Sequence, residues 1–410
     1  MQEFEIHTLE NGINIVHQHI VSSDIAHCGL IVNAGSRDES DKQQGLAHFI
    51  EHVLFKGTKK RKSFHILNRL ETIGGELNAY TTKEETAIYA SFMCPYFERS
   101  LELLSDIVFN STFPEKELEK EKEVILDEIN SYRDNPVEQI YDDFEDLIFP
   151  DHPLGHPILG TPESVKSFTK KEILYFMEAC YSSDRIVFSS IGNVPFSKII
   201  KLANTYLGHI PKKASPARRA HFRGYVPSFN SFKKETFQSH CVMGNVGYEN
   251  KNKKKTGLVL LNNLLGGPGM NSRLNLGIRE KYGFTYNLES SYSSYEDTGL
   301  FTVYLGTDNN YLERTIELVH KELKKLRDTK LGTLQLKNAK QQLIGQIALG
   351  QESKVNLMLG FGKSFLTYGK IDTLQKIYKK IEMVKAENLL EIANEVFDQK
   401  QMSTMIFESK

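Results

Sequence analysis

Four cysteines in 410 residues, at Cys28, Cys94, Cys180 and Cys241 with no C-x-x-C pair, exclude a disulfide framework and read as buried thiols in a reducing compartment. An excess of one charge is lacking too. The 51 Lys and Arg residues against 52 Asp and Glu leave a formal net charge of −1, so no global field draws the chain to nucleic acid or to an anionic membrane. No apolar run approaches the ~18 residues of a membrane span. No Lys or Arg precedes Arg37, so the opening stretch predicts neither a secretory n-region nor an Arg-rich transit peptide. What is left is a globular, cytoplasmic composition, 40% hydrophobic and 25% charged. Its length suits two or three domains by the loose rule of ~150 residues each.

Residues 4–8 and 13–18 alternate apolar and polar around Asn11-Gly12, a strong hairpin signal. Residues 26–33 and 86–93 read as strands. Helices are expected near 64–73, 97–110 and 114–133, the last opened by Pro114. A basic, turn-rich stretch carrying Lys213, Arg218, Arg219, Gly224 and Pro227 divides the chain into a first domain, 1–212, a linker, 213–235, and a second domain, 236–410. The halves resemble each other. A helix at 170–180 runs into a strand at 186–191 in the first, and a helix at 385–397 into a strand at 402–407 in the second. The expected fold class is therefore α+β, two homologous α/β-roll domains from an internal duplication, each a mostly antiparallel sheet covered by helices.

The stretch from Gly45 to His52 contains H-x-x-E-H. On a helix, positions i and i+4 share a face, so His48 and His52 can point at a common centre with Glu51 beside them. Two neutral imidazoles and a carboxylate next to an open position are what a hydrolytic zinc site needs, and the order is that of the inverted-zincin motif. The second half has no such motif. A third ligand is required. On the 114–133 helix, Leu118, Ile125, Ile129 and Tyr132 form a stripe at ~100° per residue, with Glu121 and Glu128 on its flank and Glu123 and Asp127 opposite. A carboxylate against a packed face is costly unless paired or metal-bound. Glu128 is the expected ligand and Glu121 its supporting neighbour. Pairing with lysines along a charged helix is the alternative, with Glu117 close to the same flank. His152 and His156 have metal-like spacing, but prolines break any helix that would align them. Residues 266–269, Gly-Gly-Pro-Gly, lack the rest of a phosphate loop and are expected to form a helix–helix turn.

These residues resemble the insulinase/pitrilysin-type zinc peptidases, especially the short two-domain branch that includes mitochondrial processing peptidase. Glu128 stands where that family has its Glu ligand, and Glu121 matches an acidic residue seven positions earlier. Gly74-Gly75-x-x-Asn78-Ala79 with Thr82, Glu85 and Thr86, then Gly192-Asn193-Val194, Ser272-Arg273-Leu274, and Arg279-Glu280-Lys281-x-Gly283-x-x-Tyr286 resemble further family stretches. The resemblance implies a zinc metalloendopeptidase acting on peptides or unfolded segments, with one Zn²⁺ per chain held by His48, His52 and Glu128. It implies Glu51 as the general base toward a metal-activated water and Glu121 as the group orienting a ligand imidazole. Asn78 and Ala79 would lie on an edge strand to which an extended peptide adds. Arg279 and Tyr286 would anchor the substrate or stabilise the oxyanion. A two-fold homodimer is implied as well, because longer relatives enclose a chamber with four such domains. The alternative is a non-catalytic or regulatory subunit of a heterodimeric peptidase, against which the retention of every one of these positions argues.

Overall fold

The Asn11-Gly12 turn closes the first hairpin. Gly12 takes φ 94°, a region open to glycine at no steric cost, and its N–H donates to the Leu9 carbonyl at 2.9 Å. The structure is a computed structural model and describes residues 4–410. Its elements begin with β1 (Glu5–Thr8), β2 (Asn14–His19), β3 (Ile25–Val32), α1 (Leu46–Val53), α2 (Ser63–Glu71), β4 (Glu76–Thr81) and β5 (Thr86–Met93). Next are α3 (Phe97–Asn110), α4 (Glu115–Asp134), α5 (Pro136–Ile148), α6 (Pro162–Ser167), α7 (Lys170–Cys180), β6 (Ile186–Gly192) and α8 (Phe196–Leu207). Then come β7 (Phe229–Lys234), β8 (Ser239–Gly247), α9 (Lys255–Gly266), α10 (Glu280–Tyr282), β9 (Thr285–Ser294) and β10 (Gly299–Thr307). The chain closes with α11 (Leu312–Asp328), α12 (Thr333–Gly350), α13 (Lys354–Tyr368), α14 (Leu374–Glu382), α15 (Ala386–Val396) and β11 (Ser403–Ser409).

The strands form two sheets, in the orders β1-β2-β6-β3-β5-β4 and β7-β11-β8-β10-β9. One pair in each is parallel, β2 with β6 and β7 with β11, and the others are antiparallel. Superposing the two orders makes β2, β6, β3, β5 and β4 the counterparts of β7, β11, β8, β10 and β9. The fold is thus two copies of one α/β plan with β1 added to the first. The helix–strand pairs read from the sequence are among the counterparts: α7 leads into β6 as α15 leads into β11. β6 is buried along its whole length, as a strand covered on both faces must be.

Each sheet belongs to its own compact unit. The first comprises residues up to Asn130 together with His156–Arg219 and Gly350–Ile371, and the second Ser131–Gly155, Ala220–Leu349 and Asp372–Lys410. The halves 1–212 and 236–410 on either side of the linker are therefore not the compact bodies as such, because two helices change places. In the first unit one sheet face packs on a core that includes Phe49 of α1, Leu101 and Ile107 of α3, and Ile88 and Phe188. The other face receives α13, which comes from the second half of the chain. Met358 is buried with Ile31 and Ile191, Phe361 with Val187, and the Ser189 hydroxyl donates to the Met358 carbonyl at 2.6 Å. In the second unit the equivalent face receives α5, from the first half, whose Ile140, Phe144 and Ile148 are buried with Val242, Tyr304 and Phe407. Gly244 on β8 makes room for it: a Cβ there would lie 3.1 Å from the Phe144 ring.

Met358 is fully buried, so Met358→Ala is expected to destabilise the protein by about 2–5 kcal/mol. The exposed Leu349→Ala serves as control, with an effect within about 0.5 kcal/mol. Chemical denaturation checks both, and an unchanged midpoint for Met358→Ala would mean that α13 is not needed to close this sheet.

Candidate metal and catalytic site

Helix α1 is short and amphipathic. It buries Leu46, Ala47, Phe49, Ile50 and Val53, which leaves His48, Glu51 and His52 on the remaining face. Its N-terminus is fixed from outside. Gly45 adopts φ 90°, and a Cβ at that position would sit 2.5 Å from the Leu159 carbonyl oxygen. The Ser164 hydroxyl donates to the Gln44 carbonyl at 2.6 Å. At the other end of the motif, the His48 and His52 rings stand 4.5 Å apart, edge to face.

Helix α4 supplies the third group. Leu118, Ile125 and Ile129 are buried on one stripe, while Glu123 and Asp127 are exposed. Tyr132, expected on that stripe, is instead 38% exposed. It lies past Asn130, where the helix leaves the first unit, so the core that orders the stripe no longer reaches it. Glu128 Oε2 is 3.9 Å from His48 Nε2 and 3.7 Å from His52 Nε2. One donor atom from each of His48, His52 and Glu128 lies within 4.8 Å of the others. Metal–ligand bonds of ~2.0–2.2 Å require tetrahedral neighbours roughly 3.3 Å apart, so modest side-chain adjustment brings these atoms to a zinc ion. The residues fit the metal. Beside them, Glu51 Oε2 is buried without a hydrogen-bond partner among the described residues, an arrangement suited to a proton acceptor facing a reacting group.

The two imidazoles have different surroundings. Burial pushes His48 down to about 3, and the neighbouring His52 adds to the effect, so His48 is a neutral, ligand-ready ring. At His52 burial also acts downward, but the bond to Glu121 and the charges of Glu128, Glu121 and Glu51 outweigh it and raise the pKa. His52 Nδ1 is 3.0 Å from Glu121 Oε1, which leaves Nε2 for the Glu128 side. Glu121 is 6% exposed. Burial acts to raise its pKa, and the bonds to His52 and Lys56 more than reverse this. Lys56 Nζ is 2.6 Å from Glu121 Oε2. Glu121 thus meets both a lysine and an imidazole. Glu51 is raised by burial, against the Thr81 hydroxyl bond and His52, with Glu128 raising it further.

The remaining candidates fall into two groups. Asn78 and Ala79 lie on β4, the last strand of the first sheet, opposite Tyr89 and Ile88. Thr81, whose hydroxyl acts to lower the Glu51 pKa, ends the same strand. Arg279 and Tyr286 belong to the second unit. Arg279 ends a π-helical turn, Asn275–Arg279, and its guanidinium stacks 4.9 Å from the Tyr286 ring centroid. Tyr286 is 73% exposed on β9, the counterpart of β4. His152 uses both ring nitrogens on backbone, at the Ala220 carbonyl and the Leu154 N–H, and 266–269 connects α9 to the π-helical turn as expected. Sequence reading missed Lys56 and the buried Glu39 because neither belongs to a motif. Lys56, four residues after His52, offered a faint i+4 signal.

A family description of insulinase, peptidase family M16, matches residues 14–162, and one of the M16 inactive domain matches 167–343. The chain belongs to the insulinase (M16) peptidase family. Among its relatives, an uncharacterized zinc protease of Bacillus subtilis, YmxG, is 34% identical, with 98% of each chain covered. The beta subunit of the mitochondrial-processing peptidase of Saccharomyces cerevisiae is 30% identical over 96% of this chain and 89% of that one. Two solved structures share the fold. A peptidase M16 inactive domain from Pseudomonas fluorescens superposes with TM-score 0.92 at 19% identity, covering 100% of this chain and 98% of the other. A protease from Helicobacter pylori gives 0.91 at 22% identity, with 100% of both covered. Among the described residues no helix is long and apolar enough to cross a membrane.

Glu121→Gln is expected to weaken zinc binding about 10–100-fold, the usual loss when the partner of a ligating histidine is removed. Competition with a chromophoric chelator measures it. An unchanged affinity would detach Glu121 from the site.

Proposed function

We propose that this chain is a zinc metalloendopeptidase of the M16 family, hydrolysing peptides or unfolded segments with His48, His52 and Glu128 as zinc ligands and Glu51 as general base. The observation that carries the reading is the convergence of those three donor sets beside the unpartnered, buried oxygen of Glu51. Zinc held there would supply Lewis acidity and make water ionisable near neutral pH instead of at about 15.7. Glu51 takes a proton from the attacking water at Oε2 and delivers it to the departing amine, a role worth roughly 10²–10⁴ in rate. The outer side of β4, at Asn78 and Ala79, is a sheet edge where an extended peptide adds as a further strand, its backbone held by ladder hydrogen bonds. Arg279 and Tyr286, stacked on each other with Tyr286 exposed, are assigned to substrate. One zinc per chain and a two-fold homodimer complete the proposal, and sedimentation at twice the chain mass checks the latter.

The decisive experiment is digestion of a peptide mixture with and without a chelator, read by mass spectrometry. Chelator-sensitive cleavage is expected, and intact peptides in both arms would favour a non-catalytic subunit. Two variants separate metal from chemistry. Glu128→Gln is expected to lose most of its zinc with the fold retained. Glu51→Gln keeps the zinc and loses about 2.7–5.5 kcal/mol of transition-state stabilisation. Wild-type turnover by Glu51→Gln would remove Glu51 as the base.

A further inference from the structure

Glu39 lies outside every motif, yet its side chain is buried at the start of the metal helix. Glu39 Oε2 accepts from the Gly45 N–H at 2.8 Å, and Oε1 accepts from the Ala47 N–H at 2.7 Å. Gly45 is the N-cap of α1 and Ala47 its second residue, so one carboxyl group satisfies two of the four N–H groups that a helix leaves unpaired at its start. The helix dipole favours negative charge there. Burial pushes the carboxyl well above the usual carboxylate range, while the Ala47 and Gly45 amides and the ammonium of Lys83 pull it back. In either form both oxygens face N–H donors.

The segment that carries Glu39 is itself tied down. Ser36 and Arg37 donate their N–H groups to the carbonyls of Thr82 and Lys83, at 3.1 and 2.8 Å. The Asp38 carboxylate accepts from the Gly35 N–H at 3.1 Å and from Arg185 and Arg219, each at 2.8 Å. A Cβ on Gly35 would come 2.2 Å from the Thr82 carbonyl oxygen, so this approach requires glycine. Residues 82–85 form the turn between β4 and β5, immediately after Thr81. Glu39 therefore joins the start of α1 to the frame that also holds Thr81 and the β4 edge.

We infer that Glu39 is a positioning residue for the metal helix, fixing the register of α1 and so the placement of His48 and His52 against Glu128. The inference rests on the zinc-peptidase reading. Its leverage is direct: Ala47 immediately precedes His48, and a ligand set tolerates misplacement of only about 0.5 Å. A glutamine at 39 keeps the volume but turns an NH₂ toward one of the two N–H donors. An aspartate keeps the carboxyl group and is one methylene short of reaching both.

The test uses apo protein titrated with zinc against a chromophoric chelator, together with kcat and KM of the zinc-loaded enzyme and thermal melting. Ile107→Val, in the same core but away from the motif, is the control for stability loss alone. Glu39→Gln is expected to bind zinc about tenfold or more weakly and to lose kcat while KM stays within about twofold. Glu39→Asp should recover part of both, and Ile107→Val should keep wild-type zinc affinity. Wild-type zinc affinity in Glu39→Gln, or an equal loss in the control, overturns the positioning role. If Glu39→Gln does not fold, Glu39→Asp is read by the same measures, and failure of both to fold assigns the residue to the fold and overturns the inference. Wild-type protein that takes up no zinc would instead sink the metallopeptidase reading and this inference with it.

Discussion

Bringing two imidazoles and three glutamates from two helices into one partly buried cluster is the constraint on which the first unit depends. Unpaired, such groups are costly to desolvate, and here each responds differently. His48 gives up its proton to burial. His52 is held by Glu121, which is held in turn by Lys56. Glu51 keeps one oxygen unpartnered among the described residues. The cluster persists only because both helices are fixed by apolar packing that has nothing to do with metal: Phe49 and Ile50 under α1, and Ile125 and Ile129 under α4. Side chains pre-positioned in this way would take up a metal ion without first ordering the chain.

Much of this was legible in the sequence, and the reason is periodicity. His48 and His52 could be placed on one face because i and i+4 always share one. Glu121 and Glu128 could be assigned to the flank of a stripe because Leu118, Ile125 and Ile129 defined it. The Asn11-Gly12 hairpin and the repeated helix–strand pairs followed from local turn and pattern chemistry. Tyr132 broke the rule where the surroundings of the helix changed, information that no period carries. Glu39 was illegible for a related reason. It caps a helix from seven residues before its first turn, across a loop whose path depends on Gly35, Asp38, Arg185 and Arg219, and a capping signal in sequence is read only from the adjacent residue.

The exchanged helices were equally invisible, and they bear on what the second half of the chain is for. A linker marks where the chain crosses between sheets; it carries no information on which sheet an apolar helix will cover. α5 and α13 hold equivalent places in the duplicated plan, yet each closes the sheet of the other copy. A first half cut at the linker would leave Ile31, Val187 and Ile191 facing water where Met358 and Phe361 now lie. At ~25 cal/mol per Å², such exposure amounts to several kcal/mol, a large share of the ~5–15 kcal/mol that holds a typical domain together. The half without the metal motif is therefore required for the fold of the half that has it, whatever Arg279 and Tyr286 contribute to substrate. This packing requirement is independent of the metal motif, so it stands for a copy that carries no H-x-x-E-H.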